Sequence, residues 1–140
     1  MLYLIRGLPG AGKSTFGALL GKVISADDFF MVDGEYRFVP SKLSAAHTDC
    51  QMRTKNELHN GTVVVANTFT QRWEMEPYIQ MANNLGVEIV ILDVFDGACT
   101  NEELFARNVH GVPLASIQAM RQRYERDWEN GDTRPPWARK

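Results

Sequence analysis

Residues 1–15 read Met1-Leu-Tyr-Leu-Ile-Arg-Gly7-Leu-Pro-Gly10-Ala-Gly12-Lys13-Ser14-Thr15, and this stretch decides the fold. A short apolar run stops at Gly7; Gly12, Lys13 and Ser14 then open a helix-compatible segment. The spacing is that of the phosphate-binding P-loop, G-x-x-x-x-G-K-[ST], set between a strand and a helix. Glycines let main-chain N–H groups turn inward around phosphate oxygens, where a side chain would block the approach. The following helix points its positive end at the same anion. Gly7, Gly10, Ala11, Gly12 and Thr15 therefore form a nucleotide cradle. Lys13 can reach the β- and γ-phosphates, and the Ser14 hydroxyl can ligate Mg²⁺. The competing reading, a glycine-rich turn with a chance lysine, does not account for the flanking strand and helix.

Working outward, the chain alternates strand and helix, which predicts an α/β fold: a central parallel sheet with helices on both sides. Strands are expected at Leu2 to Arg6, Val23 to Ser25, Thr62 to Ala66 and Val87 to Phe95. Helices are expected from Lys13 to about Leu20, Pro40 to Leu58, Gln71 to Leu85 and Asn101 to Val109. A last helix starts at Pro113 with Ile117, Met120, Tyr124 and Trp128 on one face, and Phe29 to Val39 reads as a loop or small hairpin. At 140 residues this is one domain, expected over 1–131, with an irregular tail over 132–140.

Composition narrows the function classes. A net charge of −2 argues against nucleic-acid binding over the whole surface, though not against a local basic groove. No apolar run is long enough to cross a bilayer, and Met1 to Ile5 is too short for a signal peptide. Cys50 and Cys99 lack partners at metal or disulfide-framework spacing, so a reducing cytoplasm is expected, the host's if the chain is phage-encoded.

In parallel sheets ligands bind beyond the carboxyl ends of the strands. The P-loop, Asp27-Asp28, Asn67-Thr68 and the segment after Asp96 all fall there. Phosphoryl transfer to an alcohol needs a carboxylate to take the hydroxyl proton and positive charge on the phosphates. Asp27 is placed to be the base; Asp28 fits either the same site or a capping role. The Val-rich strand ends in Ala66 and Asn67 where hydrolytic motors carry an acid, which favours a kinase. Arg107, beside the breaks at Gly111 and Pro113, fits a lid that neutralises the transferring group. His110 suits either a phosphate or substrate contact or a packed loop position, and His47 belongs to a polar helix that could line a groove. Trp73, Tyr78, Trp128 and Trp137 could stack on bases, with core packing the expectation for Trp73 and Trp128.

Together these pieces resemble the polynucleotide-kinase-like P-loop kinases, in particular the Nedd4-binding-protein-2-type and phage kinase branch. The matching segments are Gly7 to Thr15, Ser25-Ala-Asp-Asp-Phe-Phe30, Val65-Ala-Asn-Thr68, Trp73-Glu-Met-Glu-Pro-Tyr78 and Arg107-Asn-Val-His-Gly-Val-Pro113, followed by Met120 to Glu125. The resemblance implies a three-layer kinase fold with an arginine-bearing lid, ATP and Mg²⁺ as cofactors, and a nucleic-acid hydroxyl as acceptor, DNA ahead of RNA. It carries the general base over to Asp27, the P-loop roles to Lys13 and Ser14, and the lid arginine to Arg107. The chain departs from the family where an acceptor-gripping arginine is replaced by Phe29-Phe30, and where His110 stands in place of a second lid arginine. Acceptor contacts are therefore expected from Asp28, Phe29, Phe30, His47, Asn67, Thr68 and His110. The acceptor is a 5′-hydroxyl end or the hydroxymethyl group of a modified pyrimidine such as 5-hydroxymethyluracil. The alternative is a small-molecule kinase for a nucleoside, sugar or antibiotic. No obligate protein partner is evident.

Overall fold

The structure, a computed structural model, describes residues 1–94 and 96–125. Strands β1 (Leu2–Arg6), β2 (Lys22–Ile24), β5 (Val63–Ala66) and β6 (Ile89–Asp93) form one parallel sheet in the order β2-β5-β1-β6. Leu2 is in register with Val63 on one side and Ile89 on the other, so the P-loop leaves the sheet between two neighbours. A two-stranded hairpin, β3 (Met31–Val32) and β4 (Glu35–Tyr36), stands apart from this sheet.

Period-two alternation makes the layers. Leu2, Leu4, Val63 and Val65 point to one face and share a core with Ala46 and Cys50 of α2 (Leu43–Leu58) and Tyr78 and Ala82 of α3 (Glu76–Leu85). Ile5, Val23 and Val64 point to the other face, where α1 (Lys13–Gly17) lies so close that a Cβ on Gly17 would stand 3.0 Å from Val64. A smaller cluster of Leu8, Leu104, Ile117 and Tyr124 joins the P-loop to α4 (Asn101–Arg107) and α5 (Leu114–Arg123). This is the α/β architecture the alternation predicts, with helices on both faces and an arginine at the end of α4.

Several boundaries differ from the sequence expectation. The P-loop helix ends at Gly17 rather than near Leu20, and its continuation tightens into turns such as Leu20 N–H to Gly17 O (2.9 Å). Pro40–Lys42 and Arg72–Glu74 are separate 3-10 turns, so α2 and α3 begin later, at Leu43 and Glu76. Pro77, which lacks an N–H, sits in the first turn of α3 as that chemistry requires. The strand expected over Val87 to Phe95 is the shorter Ile89–Asp93, and α4 stops at Arg107 rather than Val109. Tyr124 follows α5 in extended backbone instead of lying on a helical face. Trp73 is 68% exposed, against the expected core position, whereas Tyr78 is buried and cannot stack on a base. Trp128, Trp137, Phe95 and the expected tail lie outside the described residues.

Candidate active site

Gly10 and Gly12 adopt left-handed backbone (φ +82° and +98°), which turns the loop back on itself at the start of α1. Gly7 is held at the carboxyl end of the inner strands by its N–H to Thr68 O (3.2 Å), and a Cβ there would meet Val94 O at 3.0 Å. Lys13 folds back over the loop, donating to Gly7 O (2.8 Å) and Leu8 O (3.1 Å). Burial lowers its pKa to about 8, although the charges of Asp27 and Asp93 favour its protonated form. Ser14 and Thr15 are exposed at the mouth of the loop.

After β2, residues 26–30 form a 3-10 turn that the sequence reading did not anticipate. Its chemistry is local. Ser25 accepts from Asp27 N–H (3.2 Å), and Asp28 Oδ2 accepts from Ser25 N–H (3.0 Å), a reciprocal capping box. Asn67 anchors the turn to β5: its Oδ1 accepts from Ala26 N–H (2.9 Å) and Ser25 Oγ–H (3.3 Å). Arg53 of α2 completes the brace, with Asp28 at 3.1 Å, Asp49 at 2.8 Å and Ser25 O at 3.0 Å. Asp28 is thus committed to the turn, which leaves the Asp27 carboxylate for contacts beyond it.

Asp27 meets two side chains. Tyr36 donates its hydroxyl to Oδ1 (2.9 Å), and His110 Nδ1 lies 3.3 Å from Oδ2. The Tyr36 and His110 rings are themselves in contact, centroids 4.6 Å apart. Burial, and then the charge of Asp27, push the Tyr36 phenol well above its usual range, so it remains a donor. Sequence reasoning did not single out Tyr36; its position in a hairpin six residues past Phe30 offered no motif to read.

The lid is built from the end of α4 and the loop to Pro113. Asn108 holds that loop by accepting from Val112 N–H (2.8 Å) and donating to Phe105 O (2.8 Å). Arg107 is exposed and donates to Cys99 Sγ (3.1 Å). Arg121 ties α5 to the loop after β6 through Asp96 (3.0 Å) and Cys99 O (3.0 Å), and to the start of α4 through Asn101 (2.6 Å). Arg6, also unremarked in the sequence, is fully buried at the end of β1. It donates to Phe69 O and lies over the Tyr124 ring at 4.2 Å.

The structure therefore brings together Lys13, Asp27 and His110 with the P-loop, and places Asn67, Thr68 and Asp28 in the supporting frame. Of the two phenylalanines, Phe30 packs in the core at 3% exposure and only Phe29 shows its ring to solvent, at 38%. His47 is exposed on α2, and no contact among the described residues ties it to the cluster. Among the described residues, no group of three His, Cys, Asp or Glu side chains could hold a metal by itself. Mg²⁺ would instead take the exposed Ser14 hydroxyl together with nucleotide phosphate oxygens.

Residues 2–126 match the family described as "AAA domain". Human NEDD4-binding protein 2 is 33% identical over 135 residues, covering 90% of this chain, which spans only 8% of that protein's length. Among solved structures, one of the Pnkp1/Rnl/Hen1 RNA repair complex superposes with TM-score 0.66 at 19% identity, over 88% of this chain and 43% of that one. A gluconokinase from Sinorhizobium meliloti 1021 gives 0.59 at 15% identity, over 95% and 83%. At these identities the structural likeness speaks for the fold. No helix among the described residues is long and apolar enough to cross a membrane.

Proposed function

Since this chain belongs to the AAA-domain family of P-loop kinases, within its polynucleotide-kinase-like members, we propose that it transfers the γ-phosphate of ATP to a hydroxyl on nucleic acid. The observation that supports the proposal is the P-loop itself, with left-handed Gly10 and Gly12 and Lys13 folded over it onto Gly7 O and Leu8 O, while the charge of Asp27 favours the protonated lysine. Lys13 binds the phosphates, and Asp27 takes the proton of the attacking hydroxyl. Arg107, exposed on the lid, meets the charge that develops on the transferring group. Bound Mg²⁺ would neutralise phosphate charge at Ser14.

The acceptor is a 5′-hydroxyl end or a hydroxymethyl group on a modified pyrimidine, in DNA ahead of RNA. Support comes from the 33% identity with NEDD4-binding protein 2 and from the family resemblance of the Ser25 to Phe30 and Arg107 to Pro113 segments. A second reading, a small-molecule kinase, is favoured by one feature: Met31, Val32, Phe38 and Val39, in and after the hairpin, are exposed and apolar rather than basic. Label transfer from γ-labelled ATP to a panel decides. The panel holds 5′-hydroxyl DNA and RNA strands, a 5′-blocked duplex carrying hydroxymethyluracil, free nucleosides and simple sugars. Label on any nucleic acid supports the proposal; label confined to small molecules overturns it in favour of the second reading.

A further inference from the structure

We propose that Tyr36 is a positioning residue for the transfer: it holds Oδ1 of Asp27, so that Oδ2, on the lid side, is the oxygen that receives the acceptor's proton. The inference rests on the kinase reading above and assigns a task to a residue outside the P-loop, the acid pair and the lid.

A carboxylate that is 42% exposed turns easily about its last torsion, and its two oxygens are chemically equivalent. A general base must nonetheless present one oxygen within hydrogen-bond reach of the hydroxyl at the moment of attack. Tyr36 supplies the constraint. Its ring packs against the main core, edge-on to Phe30 (6.1 Å) and parallel to Phe38 within 9°. The hairpin fixes its backbone, with Met31 opposite Tyr36 and Arg37 N–H bonded to Phe30 O (2.8 Å). The hydroxyl at the end of this rigid ring donates to Oδ1.

Oδ2 is left towards His110, whose imidazole reaches Asp27 from the lid loop and rests against the Tyr36 ring. The charged and titratable groups facing Asp27 are therefore Tyr36 from β4, His110 from the lid and Lys13 from α1. An acceptor hydroxyl enters from the lid side and takes the place of the imidazole at Oδ2. Its oxygen bonds to the γ-phosphorus of ATP as the β–γ bridging P–O bond breaks. The bond's electron pair leaves on ADP, and the hydroxyl proton passes to Asp27 Oδ2. Tyr36 keeps its own proton throughout.

The test is Tyr36→Phe in the full chain, which retains the ring and removes only the donor. Steady-state kinetics with the acceptor identified by the panel, and a thermal melt, are the readouts. Loss of one hydrogen bond to a charged group predicts kcat down about tenfold, with ATP KM and melting temperature unchanged. An unchanged kcat overturns the inference. So does a fall in kcat accompanied by an equal rise in ATP KM or a lower melting temperature, since either assigns Tyr36 to nucleotide binding or packing. A wild-type chain that labels no acceptor sinks the kinase reading and this inference together; an active wild type with an equally active Tyr36→Phe sinks this inference alone.

Discussion

Gly10 of the P-loop lies directly under the Leu104 carbonyl of α4: a Cβ at position 10 would stand 2.6 Å from that oxygen. The nucleotide loop and the lid helix are thus in main-chain contact, with Arg107 Cβ 3.4 Å from the same point. Gly10→Ala must both strain a positive φ and push the lid away, whereas Gly12→Ala strains φ in open space. Gly10→Ala should lose about 2–3 kcal/mol of stability and Gly12→Ala about 1 kcal/mol. Denaturant melts of the two variants check the order, and equal losses would show that the loop–helix contact is slack.

Lys13 has an ordinary pKa of 10.5 and is held near 8 by burial. Its folded value is depressed, so burying the ammonium costs stability below about pH 8, and the cost is relieved as pH rises from there towards 10.5. Nucleotide binding runs the other way, because phosphates favour the protonated form. ATP affinity should be flat below pH 7 and weaken by up to about tenfold per pH unit beyond pH 8, with proton uptake on binding. Calorimetry in buffers of different ionisation enthalpy measures both quantities. Affinity that stays level to about pH 9.5 would show that Lys13 remains charged in the free protein.

The parallel sheet and the P-loop were legible because each rests on a local signal: β-branched runs, a glycine spacing, helix-length apolar periodicity. Asp27 could be read for the same reason, as an acid at a strand end. What escaped is non-local. Arg6 sits in a strand yet is fully buried, because Phe69 O and the Tyr124 ring, more than sixty residues away in sequence, receive its guanidinium. Tyr36 matters only because a short hairpin swings it onto Asp27. Trp73, expected in the core from its apolar neighbours, lies in the 3-10 turn before Pro77 and faces outward. Helix ends slipped where proline or a tight turn, rather than hydrophobic period, sets the first residue.

Asp28 and Asp27 are adjacent in sequence and opposite in task. Asp28 accepts from Ser25 N–H and pairs with Arg53, whose other bonds tie α2 to the turn. Asp28→Ala removes a cap and one arm of this brace at a half-exposed site, so a loss of about 1 kcal/mol is expected. Its kcat should stay within about threefold of wild type. Asp27→Ala should do the reverse, leaving the melt unchanged and lowering kcat by about 100-fold or more. A stable, fully active Asp28→Ala chain would remove the turn from the structural account, and an active Asp27→Ala chain would remove the base from the mechanism.

Arg107 makes one side-chain contact among those described, its 3.1 Å approach to the Cys99 thiol, and is otherwise open to solvent. A residue with so little packing contributes little to folding, yet its place three residues before His110 puts its charge beside the loop that touches Asp27. Arg107→Ala should therefore melt like wild type while kcat falls by about 100-fold, the scale of removing a preorganised charge from a transition state. His110→Ala discriminates the two lid residues. It frees Oδ2 of Asp27 without touching the phosphates, so its kcat should be held or slightly raised, with any change confined to acceptor KM. Measuring both variants with the same acceptor separates the roles: a His110→Ala loss as deep as that of Arg107→Ala would mean that the imidazole itself takes part in the transfer.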